Sequence, residues 1–188
     1  PVDEPAVAVP YDPALPIDLG GVDGVTPSQQ AAAENVIANT LTHLPRFADP
    51  AAAEAAGYVS INDAATGYEH LVNADYRADG RVLDPDRPES LVYEVIDGER
   101  TLVAAMYMAE PGTTLATADD FGGPLTQWHI HDNLCFTPPP GSVVAGLTDA
   151  DGNCGAGLVK PEPVPMIHVW IRSHPCGPFS ALEGIAGG

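Results

Sequence analysis

The first regular pattern of apolar residues along the chain is helical. After Thr26, a residue type that caps helices, comes a proline at the first turn, and apolar side chains then recur every three to four positions. This spacing predicts a helix over residues 27–45. Asp49 is also followed by proline, and the alanine-rich run behind it stops at Gly57, which predicts a second, short helix.

After Gly57 the pattern changes to short runs of β-branched and aromatic residues separated by Asn, Asp, Gly and Pro. Asp97-Gly98 stands between two such runs and suits the positive φ angles of a two-residue type I′ hairpin. The pattern therefore predicts an α+β fold, with N-terminal helices followed by a mainly antiparallel β-sheet of five or more strands. The predicted strands are residues 58–61, 68–73, 91–96, the run after Gly98, 125–136 and 166–172.

The chain length and the proline distribution predict the domain organisation. A chain of 188 residues has the usual size of one domain, about 100 to 200 residues. Residues 1–16 hold five prolines without an apolar period, so residues 1–25 are predicted to be a Pro-rich extended N-terminal segment. Residues 26–188 are predicted to form a single α+β domain with a histidine-rich metal site.

The charge excludes two classes of partner. Seven Lys and Arg stand against 26 Asp and Glu, which gives a formal charge of −19. This charge repels phosphate backbones and anionic lipid headgroups, so no nucleic acid is expected as a partner. No apolar stretch approaches the roughly 18 to 20 residues of a spanning helix, so the chain is not expected to insert into a membrane. The pattern does not identify a protein partner.

Three cysteines allow one disulfide and leave one thiol. Cys135 and Cys154 flank a turn-rich loop of about 18 residues, and a bridge across it would stabilise the fold by about 3 kcal/mol. We expect this pair to be bonded and Cys176 to be free; the alternative is three reduced thiols in a cytosolic protein. Together with the N-terminal segment, the bridge predicts an extracytoplasmic protein, either secreted or held at the cell surface.

The strongest chemical signal is the string Trp128-His129-Ile130-His131. On a strand the two histidines project from one side, with their Cα atoms about 6 to 7 Å apart, so both rings can reach one ion. If the strand containing His168 pairs with this segment, His168 becomes a third ligand. Three imidazoles on strands form a common type of zinc site with an open fourth position.

Other residues compete for roles at this site. His70 is a further candidate ligand, and Glu69 beside it would point to the opposite face of an extended strand. Whichever of the two does not reach the metal is a candidate general base or a partner that orients an imidazole. His174, in a stiff turn with Cys176, competes with His70 and His168 as a ligand. His43 on the predicted helix is expected to be an ordinary surface or packing histidine.

Neutral imidazoles suit zinc first and copper second. Met106 and Met108 share one strand face and would favour Cu(I) if they met the histidines, although core packing is the usual role of such methionines. The sequence thus predicts a transition-metal-binding protein. One alternative is a metal-dependent hydrolase or lyase with three histidines and a metal-bound water. Another is a surface interaction domain whose histidines are structural.

Four strings resemble an uncharacterised family of exported actinobacterial proteins. They are TGYEHLVN, DPDRPESLVYEV, QWHIHDNLCF and HVWIRSHPCGPFSALEG, and the resemblance covers roughly residues 30–184. The motifs WHIHDNLC and HVW with HPCGPF are the most distinctive parts. The resemblance implies a secreted or surface setting and carries over no activity and no catalytic residue.

Overall fold

A computed structural model describes residues 9–181 of the chain. The described residues form three α-helices near the amino-terminal half: α1 (Pro27–His43), α2 (Pro50–Ala55) and α3 (Ala74–Arg77). Two helices are therefore confirmed where the sequence predicts them, and a short 3₁₀ turn, Leu44–Phe47, follows α1 directly.

Helix α1 begins with a capping box. The Thr26 hydroxyl accepts a hydrogen bond from the Gln29 backbone N–H at 3.2 Å, and the Gln29 side chain accepts one from the Thr26 N–H at 3.0 Å. Two of the N–H groups that a helix start leaves without partners are satisfied in this way. The buried side of α1 contains Ile37 and Thr40 and packs against the sheet.

Five antiparallel strands form the main sheet in the order β1-β2-β3-β4-β7, and β5 and β6 form a second, small sheet. The expected α+β class with a mainly antiparallel sheet is confirmed. Asp97 and Gly98, at φ 52° and 85°, make the tight turn between β3 and β4, as expected. The strands are β1 (Tyr58–Ser60), β2 (Tyr68–Asn73), β3 (Ser90–Ile96), β4 (Glu99–Met108), β5 (Leu134–Phe136), β6 (Val144–Leu147) and β7 (Met166–Trp170).

The continuous strand expected over residues 125–136 is wrong. A 3₁₀ turn ends at Leu125, a single antiparallel bridge joins His129 to Met166, and regular pairing starts only at β5. The segment is extended but has a ladder partner at only one position before β5. An extended segment with one buried side has the same alternation of apolar and polar residues as a strand. The pattern depends on which side chains are buried and not on whether the backbone pairs with another strand.

The main sheet has two different faces. On the helix face, the Tyr107 hydroxyl lies 2.9 Å from the Thr40 hydroxyl, and the Tyr93 hydroxyl donates to the Phe47 carbonyl at 2.6 Å. On the opposite face, which we call the histidine face, lie His70 and His168. The hydrophobic core lies on both sides of the sheet, and the segment between β4 and β7 covers the histidine face.

Backbone hydrogen bonds attach the covering segment near both edges of the main sheet. Its N-terminal part exchanges two backbone hydrogen bonds between His129 and Met166, at 3.0 and 2.8 Å. Its hairpin is attached on the other side, where the Val144 N–H donates to the Ile61 carbonyl at 2.8 Å. The expected disulfide between Cys135 and Cys154 is present in this segment. Closing this loop stabilises the fold by about 3 kcal/mol in the chain-entropy picture.

Residues 9–25 have no helix or regular strand, and they pack on the domain instead of extending away from it. Tyr11 exchanges backbone hydrogen bonds with His174, and both Tyr11 and Leu19 are buried in the core. The remainder of the predicted N-terminal segment, residues 1–8, lies outside the described residues, as do residues 182–188.

Candidate metal centre

His168 is the centre of the candidate site. It lies in the middle of β7 and is completely buried. Among the described residues, neither of its two ring nitrogens has a hydrogen-bond partner. A buried polar group without a partner costs about 1–3 kcal/mol, so an imidazole in this state needs a compensating role.

The rings of His129 and His70 lie next to the His168 ring, and the His131 ring lies next to that of His129. The centre of the His168 ring lies 5.0 Å from that of His129 and 5.8 Å from that of His70, and the rings of His129 and His131 are 5.3 Å apart. A ligating imidazole has its ring centre about 3.2 Å from the metal, so two such rings at a tetrahedral angle are about 5 Å apart. Each of these three neighbouring pairs therefore has about the spacing that two imidazoles on one ion would have.

The ring nitrogens are not turned towards a common point. Within residues 9–181, no group of three or more His, Cys, Asp or Glu side chains has the arrangement of a metal-ligand set. The rings of His129 and His168 are within 19° of parallel. Shared ligation therefore requires rotation about χ2, a torsion with a broad energy minimum in histidine.

Sheet curvature brings His70 to His168. Their strands are separated in the sheet by β3 and β4, which in a flat sheet would place them about 14 Å apart. The rings nevertheless lie 5.8 Å apart, over the smaller side chains Val92 and Ala104, which occupy the same register row as His70. The histidine face is therefore concave, and large side chains from its two sides meet above its middle.

For His168 to be a third ligand, its strand β7 has to pair with the segment that contains His129 and His131. The two segments pair at one position. His129 bonds to Met166, two residues before His168 on β7, and paired residues project to the same side of a sheet. This single bridge places the His129 ring next to the His168 ring. Of the four residues expected as ligands, His168 thus lies next to His70 and His129, and His131 lies next to His129.

Asp63 orients His70, and the sequence analysis did not identify it. One carboxylate oxygen of Asp63 accepts the His70 backbone N–H at 2.9 Å, and the other lies 2.5 Å from the His70 Nδ1 atom. Both side chains are largely buried. A carboxylate bonded to Nδ1 fixes the tautomer and leaves Nε2 as the nitrogen that can bind a metal. Its position seven residues before His70 is a loop contact that no strand periodicity predicts.

Burial and charge keep His168 neutral. Its complete burial lowers the pKa well below the ordinary histidine value, and the neighbouring His129, His70 and His131 lower the pKa further. Neutral imidazole is the form that binds metal ions. His168 therefore does not have to lose a proton at neutral pH before it can act as a ligand.

Glu69 lies on the other side of the sheet. Its carboxylate is paired with the Arg100 guanidinium, with Nε 2.7 Å from Oε2, and it accepts the Ser60 hydroxyl at 2.5 Å. The expectation that Glu69 and His70 point to opposite faces agrees with this placement. Glu69 forms an ion pair with Arg100 and does not lie beside the four histidines. In this position it can act neither as a general base at the site nor as the partner that orients an imidazole.

The remaining candidates lie elsewhere. The His174 ring stacks on Trp170 at 4.5 Å and has its Nδ1 atom 2.8 Å from the Ser180 hydroxyl. Burial, and then the charge of Arg172, lowers the pKa of His174. Cys176 is a free, partly buried thiol. His174 therefore contacts Trp170 and Ser180, and in the described part of the chain it does not contact the rings of the four histidines expected as ligands.

His43 is the ordinary surface histidine that its place on α1 predicts. Its Nδ1 atom lies 2.6 Å from a carboxylate oxygen of Asp86, and its side chain is 35% exposed. The Arg46 guanidinium contacts the same carboxylate at 3.0 Å, and these two hydrogen bonds hold the pKa of Asp86 below its usual range. The His43–Asp86 pair thus repeats the chemistry of His70–Asp63 outside the cluster.

Comparison with known proteins finds no matching family model, no similar curated protein and no similar solved structure. The similarity to exported actinobacterial proteins therefore stays a prediction. The disulfide is compatible with an extracytoplasmic location. In the part of the chain from residue 9 to residue 181, no helix has the length and apolar character needed to span a bilayer.

Proposed function

We propose that this protein is an extracytoplasmic metal-binding protein that holds one zinc or copper ion among His70, His129, His131 and His168. The observation that carries the proposal is His168, which is fully buried with two unpartnered ring nitrogens and lies beside the rings of His129 and His70. A bound ion would supply the partner that the buried His168 ring lacks among the described residues.

Two further features support a metal over a purely structural cluster. The rings of three neighbouring pairs lie at about the spacing of two imidazoles on one ion, so the proposed binding requires rotation of the rings towards that ion. Asp63 holds His70 in the way that carboxylates commonly hold metal-binding histidines.

Binding is favoured over hydrolysis because two of the four histidines are buried and the expected general base is not beside them. His168 is inaccessible to solvent and His70 is 8% exposed. A hydrolytic zinc site keeps an open position for water and a base beside it, and Glu69 is on the opposite face of the sheet. We therefore propose capture or storage of the ion as the function and do not propose the hydrolase alternative.

The first test is metal stoichiometry. Protein purified without a histidine tag is expected to bind about one equivalent of zinc, measured by elemental analysis after dialysis. In the double variant His129→Ala/His131→Ala, affinity should fall by more than about 100-fold, because two ligands are lost while the buried His168 stays in place. His43→Ala is the matched control, since it removes an exposed histidine with its own acidic partner.

Circular dichroism and thermal melting must show that each variant is folded before its affinity is compared. Unchanged zinc affinity in the folded double variant, or no binding by the unsubstituted protein to zinc or copper, would leave the histidines as structural groups.

The second test uses Asp63. Replacing Asp63 by Asn keeps the size of the side chain but removes the charge that holds the His70 tautomer. Zinc affinity is expected to fall by about 10- to 100-fold, as for other groups that orient a ligand. Isothermal titration with zinc measures the change.

The matched control is Asp86→Asn, which makes the same change at the exposed His43 pair. Equal zinc affinities of the Asp63 and Asp86 variants would show that Asp63 has no connection to a bound ion.

A further inference from the structure

The methionines of the chain are concentrated on the histidine face. The chain has three, Met106, Met108 and Met166, and all three are buried there. Met106 lies directly opposite His168 across the β4–β7 pair, and Met166 lies opposite His129 across the isolated bridge. Of the contacts between histidine rings, that of His168 with His129 is the shortest. Each of these two histidines has a methionine as its cross-strand neighbour.

The type of pairing brings Met106 close to His168. Backbone hydrogen bonds from Ala109 to Pro165 and from Ile171 to Val103 mark the hydrogen-bonded positions of this ladder. Met106 and His168 fall at the alternate, non-hydrogen-bonded position, where Cα atoms are only about 4.5 Å apart and side chains approach most closely. The thioether of Met106 is therefore on the concave face beside the His168 ring.

We propose that the ion is copper(I), held by the thioether sulfurs of Met106 and Met166 together with the imidazoles of His129 and His168. This inference rests on the proposed function: it identifies the ion, keeps His129 and His168 as ligands, and places Met106 and Met166 where His70 and His131 were proposed. Thioethers are soft donors that select Cu(I), whereas zinc in proteins is bound by thiolate, imidazole and carboxylate. The combination of two methionines with two histidines therefore separates copper from zinc, which histidines alone do not.

Charge and burial favour the same ion. All four assigned ligands are neutral, and His168 is fully buried. The free energy of transferring an ion into a medium of low dielectric rises with the square of its charge. Burial of a monovalent ion among neutral ligands therefore costs about one quarter of the desolvation free energy of a divalent ion.

The competing explanation is that the methionines only fill the core, which is their most frequent role. The two explanations differ in what happens to Met106→Leu/Met166→Leu. Leucine has nearly the volume of methionine and supports the same packing, so the fold is retained while both sulfurs are removed. Met108→Leu is the matched control, because Met108 lies opposite Met166 at the end of β4 and outside the proposed ligand set.

The experiment is an anaerobic titration of Cu(I) against a chromophoric Cu(I) chelator, with a parallel titration of Zn²⁺. The double leucine variant should lose about tenfold or more in Cu(I) affinity and keep its Zn²⁺ affinity, and Met108→Leu should bind both ions like the unsubstituted protein. Copper K-edge absorption of the unsubstituted protein should show sulfur ligation that persists in Cys176→Ala and is lost in the double leucine variant.

The outcomes separate the two proposals. If the unsubstituted protein binds Zn²⁺ but its copper spectrum shows only nitrogen ligation, or if the double leucine variant keeps its Cu(I) affinity, the copper(I) assignment is overturned and the histidine site stands. If the protein binds neither ion, the proposed function itself is wrong. If sulfur ligation disappears in Cys176→Ala, the thiol and not the methionines is the source.

Discussion

Zinc is expected to raise the melting temperature of this protein by several degrees at pH 7.5 and hardly at all at pH 5. Protons and metal ions compete for imidazole nitrogens, and histidine side chains ordinarily titrate near pH 6.5. At a zinc concentration of about 100 times Kd, binding adds about 2.7 kcal/mol, which corresponds to roughly 5–10 °C for a chain of this size. Differential scanning fluorimetry at the two pH values, with and without zinc, measures the increments.

The direction of the effect follows from proton linkage. Metal binding favours deprotonated imidazoles, so metal-dependent stability is present above their pKa and is lost as the pH falls through it. His168 adds a contribution of the same sign without metal, since burial lowers its pKa in the folded state. Between that lowered value and about pH 6.5 the unfolded chain binds a proton that the folded chain does not, so acidification destabilises the metal-free protein as well.

The comparison must therefore use the zinc-dependent increment at each pH and not the melting temperature itself. His129→Ala/His131→Ala is the control, because it keeps the buried His168 and removes two proposed ligands. Equal zinc increments at pH 7.5 and pH 5 would contradict a histidine site, since carboxylate ligands hold ions down to about pH 4.

Local signals in the sequence predicted most of the fold. The Thr26 cap, the Asp97-Gly98 turn and the β-branched runs are short-range features, and the corresponding elements formed where they were expected. The cysteine pairing was also predictable, because Cys135 and Cys154 bracket a loop rich in turn residues. The strand predicted over residues 125–136 was wrong because it depends on a long-range feature. Whether an extended segment pairs with a neighbouring strand depends on residues far away in the sequence.

The candidate site was predictable only in part for the same reason. His129 and His131 are neighbours in sequence, so strand geometry alone places them together. The approach of His70 to His168 depends on the curvature of a four-strand span, and the contact of Asp63 with His70 depends on a loop. The position of Met106 opposite His168 depends on the register of β4 against β7. Curvature, loop contacts and register are properties of the assembled sheet.

A second large pH effect is expected from Glu89, the residue immediately before β3. Burial, with 2% of the residue exposed, raises the pKa of its carboxyl group to about 8, although the carboxyl accepts the Met108 backbone N–H at 3.1 Å. The folded protein therefore keeps this proton up to about pH 8, whereas the unfolded chain loses it near pH 4.5. Because the folded state holds this proton more tightly, the contribution of Glu89 to stability falls as the pH rises from 4.5 to 8.

Glu89→Gln removes this ionisation and keeps the acceptor for the Met108 N–H. The variant is expected to be more stable than the unsubstituted protein at pH 8, and the difference between the two should grow by about 1 kcal/mol per pH unit across the window. Urea unfolding of the metal-free proteins at pH 5, 6.5 and 8 measures the difference. Glu162→Gln is the matched control, because Glu162 is exposed and should show no such trend. A constant difference between Glu89→Gln and the unsubstituted protein at all three pH values would mean that Glu89 is ionised in the folded state, and its burial would then require a cationic partner.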